Sequence, residues 1–233
     1  MKPNFLFIQT DQMTAFALSQ YGNPVVQSPN IDKLASRGVV FQNAYCNNPI
    51  CASSRFSMMS GQLSSRVGAY DNAAEFPAQV PTFAHYLVDL GYHTCLSGKM
   101  HFVGPDQLHG FQERVTTDIY PSDFGWTPDW LAEGHQLPPS GMSMRSVVEA
   151  GISERSLQID YDEEACHQAE VKLWDYARNH SGEPFFLAVS FTHPHNPFTT
   201  QSKYWNLYNH SEINMPEVTG KPVEERDPWS QRY

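Results

Sequence analysis

Three short apolar segments, each followed by polar residues, constrain the fold of this chain more than any other feature. They occupy residues 5–9, 92–96 and 185–191, and helical patterns precede the second and the third. Buried strands that alternate with helices are typical of a largely parallel sheet covered on both faces. We therefore predict an α/β fold of three layers, α/β/α, with a mostly parallel central sheet.

The intervening sequence divides into helical and irregular parts. A helix is predicted after Thr82 and another over residues 162–179, while residues 39–41 should begin an extended segment. Residues 104–160 are rich in Pro, Gly, Trp and Asp and lack clear periodicity. We expect them to form a long loop region over the active face, because substrate-selecting loops tend to lie there.

Polar side chains follow all three apolar segments. Asp11 comes after the first, Lys99 and His101 after the second, and His193 and His195 after the third. Open α/β sheets bind ligands at the carboxyl ends of their strands, so these side chains should meet at one rim. Together they predict a functional site.

A cysteine and an arginine lie four residues apart where a helix is expected to begin. Cys51 and Arg55 would share one face of that helix. A helix N-terminus beside a guanidinium group creates a positive field that suits an anionic substrate. The alternative is that Cys51 is a small buried apolar residue and Arg55 a surface charge.

Composition excludes several classes of protein. The 233 residues carry a formal net charge of −10 and no run of Lys and Arg, so we expect a small-molecule partner and no nucleic acid. No apolar stretch is long enough to span a bilayer, so no membrane association is predicted. The four cysteines lack paired spacing, and the apolar run near Met1 is short for a signal peptide. A cytoplasmic protein is expected, with the periplasm as the alternative.

The sequence around Cys51 resembles a known signature. Cys51-Ala-Ser-Ser-Arg55 followed by Ser60-Gly61 is similar to the Cys-x-Pro-Ser-Arg and Thr/Ser-Gly of type I, formylglycine-dependent sulfatases. Longer stretches resemble the choline-sulfatase branch, at residues 70–75, 97–111, 117–121 and 123–129. The resemblance implies an alkaline-phosphatase-like, three-layer α/β/α fold. It also implies that residues 1–233 are the N-terminal portion of the catalytic domain, a truncated sequence whose C-terminal part is absent.

The resemblance also implies a chemistry for the site. Cys51 would be oxidised to formylglycine, and Asp11 with the modified Cys51 would bind a divalent metal. The resemblance implies Ca²⁺, a hard cation that suits oxygen ligands. Arg55 would hold the formylglycine hydroxyl and Lys99 a sulfate oxygen. His101 would assist breakdown of the sulfated enzyme, and His193 would protonate the leaving oxygen.

Substrate and partners follow from the same resemblance. The expected substrate is an organic sulfate ester, choline sulfate first and another small or carbohydrate sulfate second. Asn72, Trp126 and His195 would contact the substrate, with Trp126 available for a cation–π contact. A formylglycine-generating or anaerobic sulfatase-maturating enzyme would modify Cys51, and the full-length protein could form a homo-oligomer.

Two departures from the family pattern leave alternatives open. Ser53 stands where the signature has proline or alanine. A non-catalytic sulfatase-like binding protein, with Cys51 as a thiol, is therefore one alternative, and a phosphonate or phosphate monoester hydrolase of the same superfamily is another. No Asp-His-Gly that would supply further metal ligands occurs in these 233 residues. The isolated polypeptide is accordingly expected to be inactive.

Overall fold

The fold was analysed in a computed structural model that describes residues 2–119, 145–216, 218, 220–228 and 231. Two compact units divide these residues. The first comprises residues 2–12, 43–119 and 156–195, and the second comprises residues 13–42, 145–155 and those from 196 onward. The predicted substrate contact Trp126 lies outside the described residues.

A four-stranded parallel sheet forms the centre of the first unit. Its strands lie in the order β1 (Phe5–Gln9), β5 (Phe185–Ser190), β2 (His93–Gly98) and β3 (Glu113–Arg114). In the register of the sheet, Ser190 lies between Gln9 and Gly98. The carboxyl ends of three strands therefore meet at one edge, which confirms the predicted parallel sheet.

Helices cover both faces of this sheet. They are α2 (Cys51–Ser60), α3 (Ser64–Val67), α4 (Phe83–Asp89) and α6 (Leu157–Asn179). On one face, Leu96 and Ala188 pack in a core with Phe56 of α2. On the other, Leu187 packs with Ala169 of α6. Side chains of a strand alternate between faces, so one apolar segment supplies both cores.

The second unit contains short elements. Its helices are α1 (Pro29–Ala35), α5 (Arg145–Val148) and α7 (Ser202–Trp205), with 3₁₀ turns at Ala15–Ala17, Ser19–Tyr21, His210–Glu212 and Val223–Glu225. The strands β4 (Gly151–Ile152) and β6 (Thr199–Thr200) pair in parallel. Among the helices that the structure describes, none combines the length and apolarity needed to traverse a bilayer.

Three local predictions differ from the structure. Residues 39–41 form no strand, and Val39 is 78% exposed. Helix α6 begins at Leu157 rather than residue 162, because the Ser156 hydroxyl caps it by accepting a hydrogen bond from Ile159 N. The described part of 104–160 is more than loop, since β3 pairs with β2 and thereby extends the sheet.

Gly98 offers a test of the strand-end packing. Its φ is 99°, and a Cβ built on it would lie 2.0 Å from the carbonyl oxygen of Ser190. We expect Gly98→Ala to lower the free energy of unfolding by at least about 3 kcal/mol, because backbone must move to admit the methyl group. Gly182→Ala is the matched control, with φ of 93° and no atom within 4 Å of the added Cβ.

The control should lose only the cost of a left-handed backbone, about 1–2 kcal/mol. Urea unfolding of both variants measures the difference. Equal losses in the two variants would mean that the close approach of Ser190 to Gly98 is not a constraint on the sheet.

Candidate active site

A buried cluster of three charges lies where β1 and β2 end. Asp11 follows β1, and Lys99 follows β2 and is fully buried. Lys99 Nζ donates a hydrogen bond to Asp11 Oδ2, and Arg55 Nη2 lies 3.4 Å from the same oxygen. Burial alone would raise the pKa of Asp11, but the charges of Lys99 and Arg55 outweigh it, so the pKa lies below its usual value. Asp11 is therefore ionised.

Arg55 joins the strand ends to helix α2. Its Nη1 donates to the carbonyl oxygen of Lys99 at 2.7 Å, to Ser190 Oγ at 2.9 Å and to Gln9 Oε1 at 3.3 Å. Only 3% of Arg55 is exposed, so the alternative of a surface charge is wrong. A buried guanidinium is stable only when its donors are satisfied, and here three strands satisfy them.

Cys51 is the first residue of helix α2 and faces Asp11. Its Sγ lies 4.0 Å from Asp11 Oδ1. Ile50 precedes the helix without a side-chain cap, and Asn72 Oδ1 instead accepts a hydrogen bond from Ala52 N at 3.0 Å. Residue 51 therefore sits at the positive end of a helix whose capping group comes from a distant loop.

His101 has a defined tautomer. Its Nε2 lies 3.1 Å from the carbonyl oxygen of Asn72, which can only accept a hydrogen bond, so Nε2 carries the proton and Nδ1 is the acceptor in the neutral ring. Burial, followed by the charge of Lys99, lowers the pKa of His101 to about 4. The ring is therefore neutral near pH 7.

Asp118, which the sequence reading did not single out, fixes the backbone at His101. Its Oδ2 accepts hydrogen bonds from Met100 N at 3.1 Å and His101 N at 2.7 Å, and Arg114 Nη2 donates to the same oxygen at 2.8 Å. His101 has a φ of 61°, which costs a non-glycine residue about 1 kcal/mol or more. The carboxylate compensates for that cost.

The same backbone conformation corrects one argument from sequence. Residues two apart in an extended stretch point the same way, a rule that predicts Lys99 and His101 on one side. Strand β2 ends at Gly98 and His101 is left-handed, so that rule does not apply. The charge of Lys99 nevertheless acts on His101, which places the two residues in one neighbourhood.

His193 pairs with a carboxylate that sequence reasoning used only as a helix position. Asp162 of α6 lies with Oδ2 2.7 Å from His193 Nδ1, and its oxygens also accept hydrogen bonds from the backbone N–H groups of Thr192 and His193. Burial would raise the pKa of Asp162, but the hydrogen bond from His193 and those from Thr192 lower it below its usual value. An ionised Asp162 therefore orients the ring. The charge of the neighbouring His195 also acts on Asp11.

The carboxylate of Asp11 is the type of ligand that a hard divalent ion prefers. A buried, ionised carboxylate oxygen faces position 51, and cations such as Ca²⁺ prefer oxygen ligands. Calcium takes six to eight such ligands, whereas Asp11 supplies one carboxylate and Cys51 a sulfur atom that becomes oxygen only if the residue is oxidised. Among the described residues, no group of three His, Cys, Asp or Glu ligands converges on Asp11. These two residues would therefore form part of a metal site.

The fold and this site define an α/β protein with a buried, cation-rich site at the carboxyl ends of parallel strands. A family model described as Sulfatase matches residues 3–227. The chain belongs to the sulfatase family.

Individual relatives support this assignment. A choline-sulfatase of Rhizobium meliloti (strain 1021) is 47% identical over 99% of this chain and 46% of its own length. The chain thus spans less than half of that relative.

Two solved structures share the fold. One is a protein in complex with its substrate D-glucosamine-2-N,6-O-disulfate, with a TM-score of 0.66 and 24% sequence identity. The match covers 97% of this chain and 42% of that protein's chain. The other is the phosphonate monoester hydrolase of Agrobacterium radiobacter, with a TM-score of 0.62 and 19% sequence identity. That match covers 92% of this chain and 45% of the hydrolase chain.

The ionisation of His101 can be measured directly. NMR titration should show that the His101 ring stays neutral until the pH falls to about 4, whereas the ordinary pKa of a histidine is 6.5. The His101 resonance is assigned by its absence in His101→Gln. Between these values the unfolded state binds more protons at this position, so its contribution to stability is complete above pH 6.5 and falls as the pH falls.

Urea unfolding at pH 7 and pH 5 tests the consequence. The parent should lose more stability between the two pH values than His101→Gln, which has no group to protonate. A ring that titrates near 6.5 in the folded protein would contradict the role assigned to burial and Lys99.

Proposed function

We propose that the protein is a sulfuric ester hydrolase that releases sulfate from a small organic sulfate ester. The observation that carries the proposal is the position of Cys51, at the positive end of α2 with Sγ 4.0 Å from Asp11 Oδ1. Lys99 and Arg55 place two positive charges beside Asp11. Buried cationic donors of this kind favour an anionic group such as sulfate.

Position 51 would supply the nucleophile. After oxidation by a formylglycine-generating or anaerobic sulfatase-maturating enzyme, its hydrated aldehyde offers one hydroxyl to attack sulfur and a second whose deprotonation expels sulfate. A divalent ion held by Asp11 and this residue would lower the pKa of the attacking hydroxyl and screen the sulfate charge. Asp11 is suited to that task because it is already ionised and buried.

The remaining residues would divide the proton transfers and the charge. Lys99 would hold a sulfate oxygen, and Arg55 would hold the hydroxyl of residue 51. His101, neutral and with Nδ1 as acceptor, would take the proton as sulfate is expelled. His193, oriented by Asp162, would protonate the leaving alcohol oxygen.

Choline sulfate is the substrate we propose first. The support is the 47% identity to a choline-sulfatase, while another small or carbohydrate sulfate is the second candidate. A phosphonate or phosphate monoester hydrolase is a weaker alternative, because the phosphonate hydrolase shares only the fold at 19% identity. Asn72 is proposed as a substrate contact, although its Oδ1 already caps α2.

Two measurements on the whole protein from its native host test the proposal. Mass spectrometry of the peptide across Cys51 should show a loss of about 18 Da, the thiol-to-aldehyde change. Cys51→Ala should reduce sulfate release by about 10³-fold or more. Cys166→Ser, at an exposed cysteine of α6, is the matched control and should keep full activity.

Matched aryl sulfate and aryl phosphonate substrates separate the alternatives. A strong preference for the phosphonate would contradict the proposed sulfatase activity. An unmodified thiol at Cys51, together with sulfate-ester binding but no turnover, would favour the non-catalytic binding protein instead.

Asp162 provides a test of the leaving-group step. Asp162→Asn keeps the shape of the side chain but removes the charge that stabilises a protonated His193, so kcat for an alkyl sulfate should fall about 10²-fold. An aryl sulfate with an acidic phenol needs little protonation and should lose much less. The alkaline limb of the kcat profile for the alkyl substrate should also move to lower pH.

Glu164→Gln, at an exposed residue of the same helix, is the control and should change neither substrate's rate. Equal losses for alkyl and aryl substrates in Asp162→Asn would indicate a purely structural role for Asp162.

A further inference from the structure

We propose that His93, His180 and Glu183 form a second metal site, selective for a divalent transition metal such as zinc. One ligand atom from each residue lies within 4.8 Å of the others. His93 is the first residue of β2, His180 follows the end of α6, and Glu183 precedes β5. Two imidazoles and one carboxylate are a donor set that suits zinc, with further positions open to water.

Two of the three separations between the ligand atoms fit a tetrahedral ion, and the third lies within 4.8 Å. Zinc bonds of 2.0–2.1 Å at tetrahedral angles require neighbouring ligand atoms about 3.3 Å apart. Glu183 Oε2 lies 3.0 Å from His180 Nδ1 and 3.5 Å from His93 Nε2, so these two separations bracket that value. The imidazole rings of His93 and His180 lie close together, with centroids 5.1 Å apart. Small side-chain movements would therefore admit the ion.

Metal binding would change the tautomer of His180. Its Nδ1 lies 3.0 Å from Glu183 Oε2, which can only accept a hydrogen bond, so this nitrogen carries a proton that the ion would displace. His180 Nε2, the nitrogen that would not bind the ion, lies 4.0 Å from Asp175 Oδ2. Asp175 is held by Asn179, which donates to Oδ1 at 2.7 Å, and by Lys172, which donates to Oδ2 at 3.0 Å. Metal-binding histidines commonly donate a hydrogen bond from their other nitrogen to a carboxylate. Asp175 would have to approach His180 by about 1 Å to accept that bond.

The position of the site indicates a structural role. His93 lies at the amino end of β2, whereas Lys99 follows its carboxyl end, so the length of six residues, about 20 Å, separates this site from the catalytic candidates. An ion there would link β2, α6 and the turn before β5. Because it binds the folded arrangement only, it would raise the unfolding temperature. The inference does not depend on the proposed function.

Zinc titration of the tag-free whole protein, in a thiol-protecting reductant, tests the site. With the catalytic divalent ion already bound, calorimetry should show one further site that His93→Ala and His180→Ala each weaken by more than about 100-fold, the upper range for loss of an outer partner. Asp175→Asn, which removes the carboxylate charge near His180 Nε2, should weaken binding by about 10-fold. His167→Ala removes an exposed histidine of the same helix and should change nothing.

Two further readouts decide whether the site is built. Cobalt should give the visible absorption of a tetrahedral ion in the parent and lose it in His93→Ala. Zinc should raise the unfolding temperature of the parent but not of His180→Ala. Zinc binding that persists unchanged in both histidine variants, or binding with only millimolar affinity, would overturn the proposal.

Discussion

The buried contact between Asp11 and the two cations Lys99 and Arg55 is the interaction on which the rest of the site depends. Each charge would be costly to bury alone, because the desolvation free energy of an unpaired ion is larger than the free energy gained by packing its side chain. Asp11 follows β1, Lys99 follows β2 and Arg55 belongs to α2, so their pairing fixes the helix against the strand ends. That constraint places Cys51 opposite the Asp11 carboxylate.

A common device holds the surrounding reactive groups. Asn72 caps the helix that begins at Cys51, Asp118 binds the backbone at His101, and Asp162 binds both the backbone and the ring of His193. In each case an oxygen from a distant segment satisfies backbone N–H groups that no helix or strand would satisfy. The reactive side chains are therefore oriented by neighbours that need not touch the substrate.

The sequence predicted the parts of the site whose signals are local. Strand ends identify Asp11, Lys99 and His193 because polar residues directly follow apolar runs. Asp118 and Asp162 gave no such signal. Each acts through a contact 17 to 31 residues along the chain, and an Asp in a loop or a helix resembles any other solvated carboxylate in sequence. Residues 39–41 form no strand for a related reason, since a short apolar run forms a strand only where another strand is available to pair.

The sequence by itself determined the parallel α/β fold and the helix that begins at Cys51, because apolar periodicity and residue spacing are properties of contiguous residues. Its similarity to known sulfatases established the family. Only the tertiary structure decided that Arg55 is buried and bonded to three strand ends, and that His101 is neutral with a defined tautomer. Burial and hydrogen-bond partners depend on which distant segments meet. No local pattern encodes that information.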